Sequence, residues 1–187
     1  MSAFVNYIGN YISLSKDLAE DLQESLQIDS YNKGHILLNE GRVCHRLYIL
    51  ETGTARTFYY QDGKDITSWI YPEHLPFTAW SSFLGGKPSF EYIEILEDAS
   101  IQSITSSQLE NLYEKHPSFE RFGRRLMEEQ LHFLDQFYKG YLFMTAREKY
   151  DLLQSFFPDV TLRVNLGHIA SLLGVSQETL SRIRRKK

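Results

Sequence analysis

The side chains of this 187-residue sequence best suited to recognition chemistry lie near its C-terminal end. If a helix begins after Ser176, then Gln177, Glu178, Ser181, Arg182 and Arg185 fall on its outer side, and Leu180 and Ile183 on its inner side. A guanidinium pairs bidentately with guanine, a carboxamide with adenine, and a carboxylate accepts from cytosine. The outer face therefore carries the groups that a DNA major groove requires. Ser176 is placed to cap the helix by accepting from its free N–H groups. Glu178 and Thr179 fall in the first turn, where a carboxylate suits the helix dipole.

The elements that would hold this face lie just upstream. Ile169, Leu172 and Leu173 share one face of a preceding helix. Gly174 follows, where a chain leaving a helix needs positive φ. Val175 is the apolar plug before Ser176. The Ala170-x-x-x-Gly174-x-Ser176 spacing is that of a helix-turn-helix, whose second helix enters the groove. The plainer alternative is a helical hairpin that packs a core and carries a solvated basic tail. Charge distribution favours the first reading. Residues 163–187 hold six basic side chains, including Lys186 and Lys187, against one acidic, a net of +5. The remainder carries −9 in a chain whose total is −4. A basic end on an acidic body is expected where only that end meets phosphate.

Composition narrows the other classes. Cys44 is the only cysteine, so neither an intramolecular disulfide nor a four-thiolate metal site can form within one chain. Cys44 follows Arg42 and precedes His45 and Arg46, which permits a redox-sensing thiol; a cysteine that merely packs is commoner. The sequence shows no secretory signal and no apolar run long enough to span a membrane, and reads as cytoplasmic. Short-stranded rolls also make metal enzymes, but His35, His45 and His74 lack the paired spacing such a site needs. The sequence offers no catalytic residues, metal ligands or cofactor that we would defend.

Taken in order, Leu14, Leu18, Leu22 and Leu26 place short helices in residues 4–27, with Ser15 as a cap. From Ile28 to about Ile104, short apolar runs alternate with glycine turns. The runs are 35–38, 47–50, 55–60, 66–70, 92–96 and 100–104, and Asp62-Gly63 marks a hairpin. This pattern predicts an antiparallel barrel or roll. A short helix over 106–115 precedes a long one from Pro117 to about Met144. On the long helix Phe119, Leu126 and Phe133 repeat every seven residues, as do Met127, Leu134 and Tyr141, with Leu131, Phe137 and Tyr138 between. That apolar surface suits a helix packed on the roll and on a second copy of itself, although a single-chain core helix is the alternative. A further helix is expected from Thr145 or Ala146, ending before Pro158.

The fold class read from this order is α+β: an N-terminal antiparallel β-roll with leading helices over 1–115, a long dimerisation helix over 116–144, and a helix-turn-helix over 145–187. With the stretch Ile169-Ala170-x-x-Leu173-Gly174-Val175-Ser176-x-Glu178-Thr179-Leu180-Ser181-Arg182-Ile183, the arrangement resembles the Crp/Fnr family of bacterial transcription regulators, and those of Bacteroidetes in particular. The Gly34, Gly41, Gly53 and Gly63 turns match more loosely. The resemblance implies a cyclic-nucleotide-binding-like jelly roll and a homodimer reading a two-fold duplex DNA site, with half-sites about 34–36 Å apart. It places base reading on Gln177, Glu178 and Arg182, with Ser181 on the same face, and phosphate or flanking contacts on Ser176, Thr179, Arg184 and Arg185. RNA polymerase is a candidate further partner. The sequence ends just after the recognition helix, so the β-wing of the family is expected to be absent or reduced. A β-roll sensor that has lost DNA binding is the alternative function.

The ligand cassette also departs from the family. Ala79 and Trp80 stand for a Gly-Glu pair that holds a ribose, and Phe90, with Glu91 beside it, stands for the arginine that holds a cyclic phosphate. An aromatic and a carboxylate cannot replace the water lost by a buried phosphate, so cyclic AMP is expected to bind weakly or not at all. Phe77, Trp80, Phe83, Phe90 and Tyr92 can line a pocket for an aromatic or acyl effector. Thr78, Ala79, Ser81, Ser82 and Glu91 would stand around it, and Leu134 and Asp135 would form its roof by alignment with the family. The other reading is that these rings fill the roll, and that there is no effector.

Overall fold

The computed structural model describes residues 2–185, apart from the side chains of Gln136, Phe137 and Lys139; Lys186 and Lys187 of the basic tail lie outside the described residues. Two antiparallel four-stranded sheets face each other. One has the order β1 (Gln27–Tyr31), β8 (Ala99–Thr105), β3 (Arg46–Thr52), β6 (Pro76–Phe77). The other has the order β2 (Ile36–Leu38), β7 (Tyr92–Ile95), β4 (Ala55–Gln61), β5 (Lys64–Tyr71). The β4–β5 turn has Asp62 at φ 52° and Gly63 at φ 74°. Two successive positive φ values define the hairpin turn whose twist matches the strands, which is why Asp-Gly stands there. Leu50, Ala55, Phe77, Ile93, Ile95 and Ile101 fill the space between the sheets. At the β3–β4 turn Gly53 has φ +101°, and a Cβ there would lie 2.6 Å from the Cβ of Ala99. Only glycine admits both that backbone and that approach.

A second core lies on the outer face of the first sheet. There α1 (Ala3–Gly9), α2 (Lys16–Ser25), α4 (Ser106–Lys115) and the start of α5 (Pro117–Tyr141) bury Phe4, Ile8, Leu18, Leu22, Phe119 and Phe122 against Leu47, Ile49 and Ile104. Local chemistry fixes the helix starts. Ser2 and Ser15 cap α1 and α2, Thr105 and Gln108 form a capping box for α4, and Pro117 opens α5. α3 (Trp80–Gly85) lies between β6 and β7.

The third core joins the roll to the C-terminal helices: α6 (Ala146–Phe156), α7 (Val160–Arg163), α8 (Leu166–Leu173) and α9 (Gln177–Arg185). Ile70 and Leu96 of the roll are buried with Tyr150, Phe157, Val160, Val164, Ile169, Ala170, Leu173 and Leu180. The α+β class with an antiparallel β-roll and a terminal helix-turn-helix is thus the observed fold.

Several elements differ from expectation. β1 is an additional strand, hidden in the sequence because Gln27–Tyr31 is a mostly polar edge. β6 has two residues and α7 four, too short for any periodicity to register. α5 ends at Tyr141 rather than Met144, because Thr145 restarts the chain with its own capping box to Glu148.

Candidate nucleic-acid interface

α8 begins at Asn165, whose side chain accepts from the Gly167 N–H at 2.8 Å. It ends at Gly174 in the left-handed region, φ 69° and ψ 34°. The Val175 N–H then returns to the Ala170 carbonyl at 3.0 Å, so the chain turns within a few residues. Ser176 Oγ accepts from the Thr179 N–H at 3.2 Å and starts α9. Leu180 is wholly buried beneath α9 and locks it to α8. The Gln177 carboxamide lies back over α8, and a Cβ on Gly167 would stand 2.9 Å from its Nε2. At the far end of α9, Arg147 Nη1 donates to the Ile183 carbonyl at 2.9 Å, a cation on the negative end of the helix.

With α9 held this way, Ser176, Gln177, Glu178, Arg182, Arg184 and Arg185 are exposed, while Thr179 and Ser181 are half-buried. These eight residues share one short helix and its cap. The Glu178 carboxyl sits below the usual carboxylate range, held there by backbone N–H and by the Ser176 hydroxyl, with Arg182 adding to the effect.

The roll holds this unit by contacts that sequence pattern did not reveal. β5 is an edge strand, and α8 covers it: the Thr67 N–H donates to Ser171 Oγ at 2.9 Å, and that hydroxyl donates to the Asp65 carbonyl at 3.3 Å. Unpaired edge groups are thereby satisfied by a helix. Arg163 grips the roll with both sides of its guanidinium. Nη1 and Nη2 donate to Glu73 at 2.9 and 2.5 Å, and Nε and Nη2 donate to Glu97 at 2.9 and 2.6 Å. Beneath α8, buried Arg56 pairs with Asp65 and Glu94 at 2.6 and 2.7 Å and lies 4.1 Å over the Phe58 ring. Burial first, and Arg56 next, push the His168 imidazole below its ordinary pKa. Arg56 and Arg163 were legible as charges. Their acceptors, 9 to 90 residues away in sequence, were not.

The residues expected around an effector pocket are scattered. Phe77 is buried, stacked between Tyr48 and Tyr71 at centroid distances of 5.4 and 5.0 Å, and so fills the roll. Thr78, Ala79 and Ser82 are buried beside it. Thr78 Oγ1 donates to the Arg46 carbonyl at 2.8 Å, and Ser82 Oγ takes the Cys44 N–H at 2.9 Å. Trp80 and Phe83 are half-buried against the helical core, and Ser81 is exposed. Phe90 is 58% exposed, with its edge toward Tyr59. Tyr92 stacks on Phe58 at 4.9 Å. Glu91 accepts from Ser68 at 2.5 Å, and burial raises its carboxyl pKa. Leu134 and Asp135 are exposed on α5; Phe133, one residue earlier, turns to the roll and meets Trp69 edge-on at 5.6 Å. Alignment with the family placed the roof one residue too far round the helix.

Cys44 is buried, with Sγ 3.2 Å from Thr78 Oγ1, so it packs in the wall of the roll rather than facing solvent. Among the described residues no group of three His, Cys, Asp or Glu comes together as a metal site, and no helix is long and apolar enough to cross a membrane.

Comparison with known proteins places this geometry. Residues 28–116 match the family described as the cyclic nucleotide-binding domain. None of the curated proteins matches the chain. Among solved structures the chain is similar to FixK2 from Bradyrhizobium japonicum, with TM-score 0.69 and 19% identity over 86% of this chain and 83% of that one. It is also similar to the catabolite activator protein of Thermus thermophilus, with TM-score 0.59 and 18% identity over 94% and 84%. A transcriptional regulator of the Crp/Fnr family from Eubacterium rectale gives 0.65 and 17% over 94% and 86%. Residues 28–116 thus resemble the cyclic nucleotide-binding domain, and over almost its whole length the chain shares the fold of these solved Crp/Fnr-type structures.

Proposed function

We propose that the protein is a sequence-specific, DNA-binding transcription regulator of the Crp/Fnr type, cytoplasmic and acting as a homodimer. The observation that carries this reading is the exposed face of α9. Gln177, Glu178 and Arg182 stand clear of the roll on a helix whose buried side is fixed by Leu180, and Arg184 and Arg185 continue the basic surface. Such a face presents bidentate donors and an acceptor to base edges, with phosphate contacts at its margins. Dimerisation is supported by the outer stripe of α5, where Leu131, Leu134 and Tyr138 are 69%, 58% and 72% exposed at coiled-coil spacing.

Cyclic AMP is not the effector in this reading. The position that should supply a cation to the cyclic phosphate holds an exposed phenyl ring, Phe90, and beside it Glu91 would repel the phosphate. The nearby buried cation, Arg56, is already engaged by Asp65 and Glu94.

The test is selection of the purified protein on a pool of random duplexes, at moderate salt and without added effector. Enrichment of a two-fold symmetric sequence, lost on substituting Arg182→Ala, is the expected result. Binding without enrichment, or none at all, would favour a β-roll sensor that no longer reads DNA.

A further inference from the structure

A cleft of about 380 Å³ opens where the roll, α5 and the C-terminal helices meet. It is distinct from the space between the sheets, which Phe77 and its neighbours fill. Trp69, Tyr71 and Pro76 form the roll side, Phe133 the α5 side, and Leu152 and Phe156 the α6 side. Leu172 and Leu173 of α8 close it from below. Its size is that of a small-molecule site, and so is its mainly apolar lining with a few polar groups.

The polar groups are unevenly placed. At one end Glu129 is engaged by the Tyr11 hydroxyl, which shares a hydrogen bond with Tyr7 at 3.0 Å. At the other end Lys149 Nζ stands 4.3 Å above the Tyr141 ring. Lys149 is half-buried and forms no ion pair among the described residues. Tyr141 lies twelve residues beyond Glu129 along α5, so the two ends are ~18 Å apart at 1.5 Å per residue. A partly desolvated ammonium beside an apolar channel, with the carboxylate at the opposite end, selects the sign and orientation of an occupant.

We propose that this cleft binds a small amphipathic acid, an elongated apolar or aromatic body carrying one anionic group, with Lys149 as the counter-ion. The anionic head lies at the Tyr141 end, and the body runs along Phe133 and the two tryptophans toward α1. The occupant touches α8 directly through Leu172, whose carbonyl already accepts from the Tyr141 hydroxyl at 3.1 Å. Binding is thus in contact with the helix that carries α9, and this proposal is tested by binding itself, independent of whether α9 reads DNA.

The chain's two tryptophans, Trp69 and Trp80, both line the cleft, so intrinsic fluorescence reports on it directly. The full-length protein would be titrated with decanoate and, separately, with 1-decanol, both below any micelle concentration. Decanoate is expected to give a saturable change at one molecule per chain, with at least tenfold tighter binding than the alcohol. Lys149→Met should erase that preference while leaving the alcohol's affinity unchanged, and Leu152→Phe should weaken both ligands. Circular dichroism would confirm that both variants are folded. The proposal is overturned if neither ligand saturates, if acid and alcohol bind alike, or if Lys149→Met keeps the preference.

Discussion

Replacing Arg163 with Met should loosen the helix-turn-helix from the roll. The guanidinium makes four charge-assisted hydrogen bonds to Glu73 and Glu97, and its carbon lies 5.0 Å over the Phe157 ring. Each such bond is worth about 1.5–3 kcal/mol when well buried. Here the three side chains remain 21%, 24% and 32% exposed, so solvent screens them, and bonds sharing one charge do not add. The loss should be about 2–3 kcal/mol, most of it the cost of leaving two carboxylates facing each other without a cation. For a chain of this length that lowers Tm by about 5–10 °C. Arg163→Lys keeps the charge but not the fork and should recover roughly half of it. Adding Glu73→Gln and Glu97→Gln to Arg163→Met should also recover part, because the stranded charges are gone. Thermal unfolding gives the first readout. The second is amide exchange at Thr67, whose N–H is held by Ser171 across the same junction and should exchange faster when the junction opens. An Arg163→Met protein melting within about 1 °C of the wild type, with Thr67 still protected, would refute the argument.

Other outcomes follow from single residues. Burial works to raise the Glu73 pKa, but hydrogen bonds from Arg163 and from backbone N–H groups outweigh it and hold the carboxyl below its ordinary value. Its contribution is therefore complete above the unfolded pKa and lost as pH falls through the depressed native one, so acid melts of Arg163→Met should show a shallower acid limb. Glu91 has the opposite sign, since burial raises its pKa. Glu91→Gln should be more stable than the wild type near neutrality, and the gap should close as pH falls through the native Glu91 pKa. Gly174→Ala should cost about 1–2 kcal/mol, a purely conformational penalty, because nothing lies within 4 Å of the added methyl. Gly53→Ala should cost clearly more in the same denaturant titration, because its methyl meets Ala99 as well.

What could be read without coordinates was whatever depends on neighbours in sequence. Asp62-Gly63 announces its turn, Ser176 its cap and Pro117 its helix start, because each acts within four residues. The exposed face of α9 was legible for the same reason: one helix carries every residue of it. Contacts between distant segments were hidden. Nothing near Arg163 in sequence hints at Glu73 and Glu97, and Ser171 looks like an ordinary helix serine until β5 arrives beside it. The aromatics show the limit most clearly. Their number signalled packing or a pocket, but not which rings stack inside the roll, as Phe77 does, and which line the cleft outside it, as Trp80 does. Leu134 and Phe133 are adjacent in sequence and separated by about 100° around α5, and only the path of the helix over the roll decides which of them faces inward.

The central claim is that α9 reads DNA as one half of a symmetric dimer. The most direct measurement is fluorescence anisotropy of a selected two-fold duplex, titrated with wild-type and Arg182→Ala protein over a range of salt. Binding should weaken steeply with salt as counterions are released, and Arg182→Ala should lose about 1–3 kcal/mol on the selected site, with little change on unrelated duplex. An Arg182→Ala protein that binds and discriminates as the wild type does would contradict it.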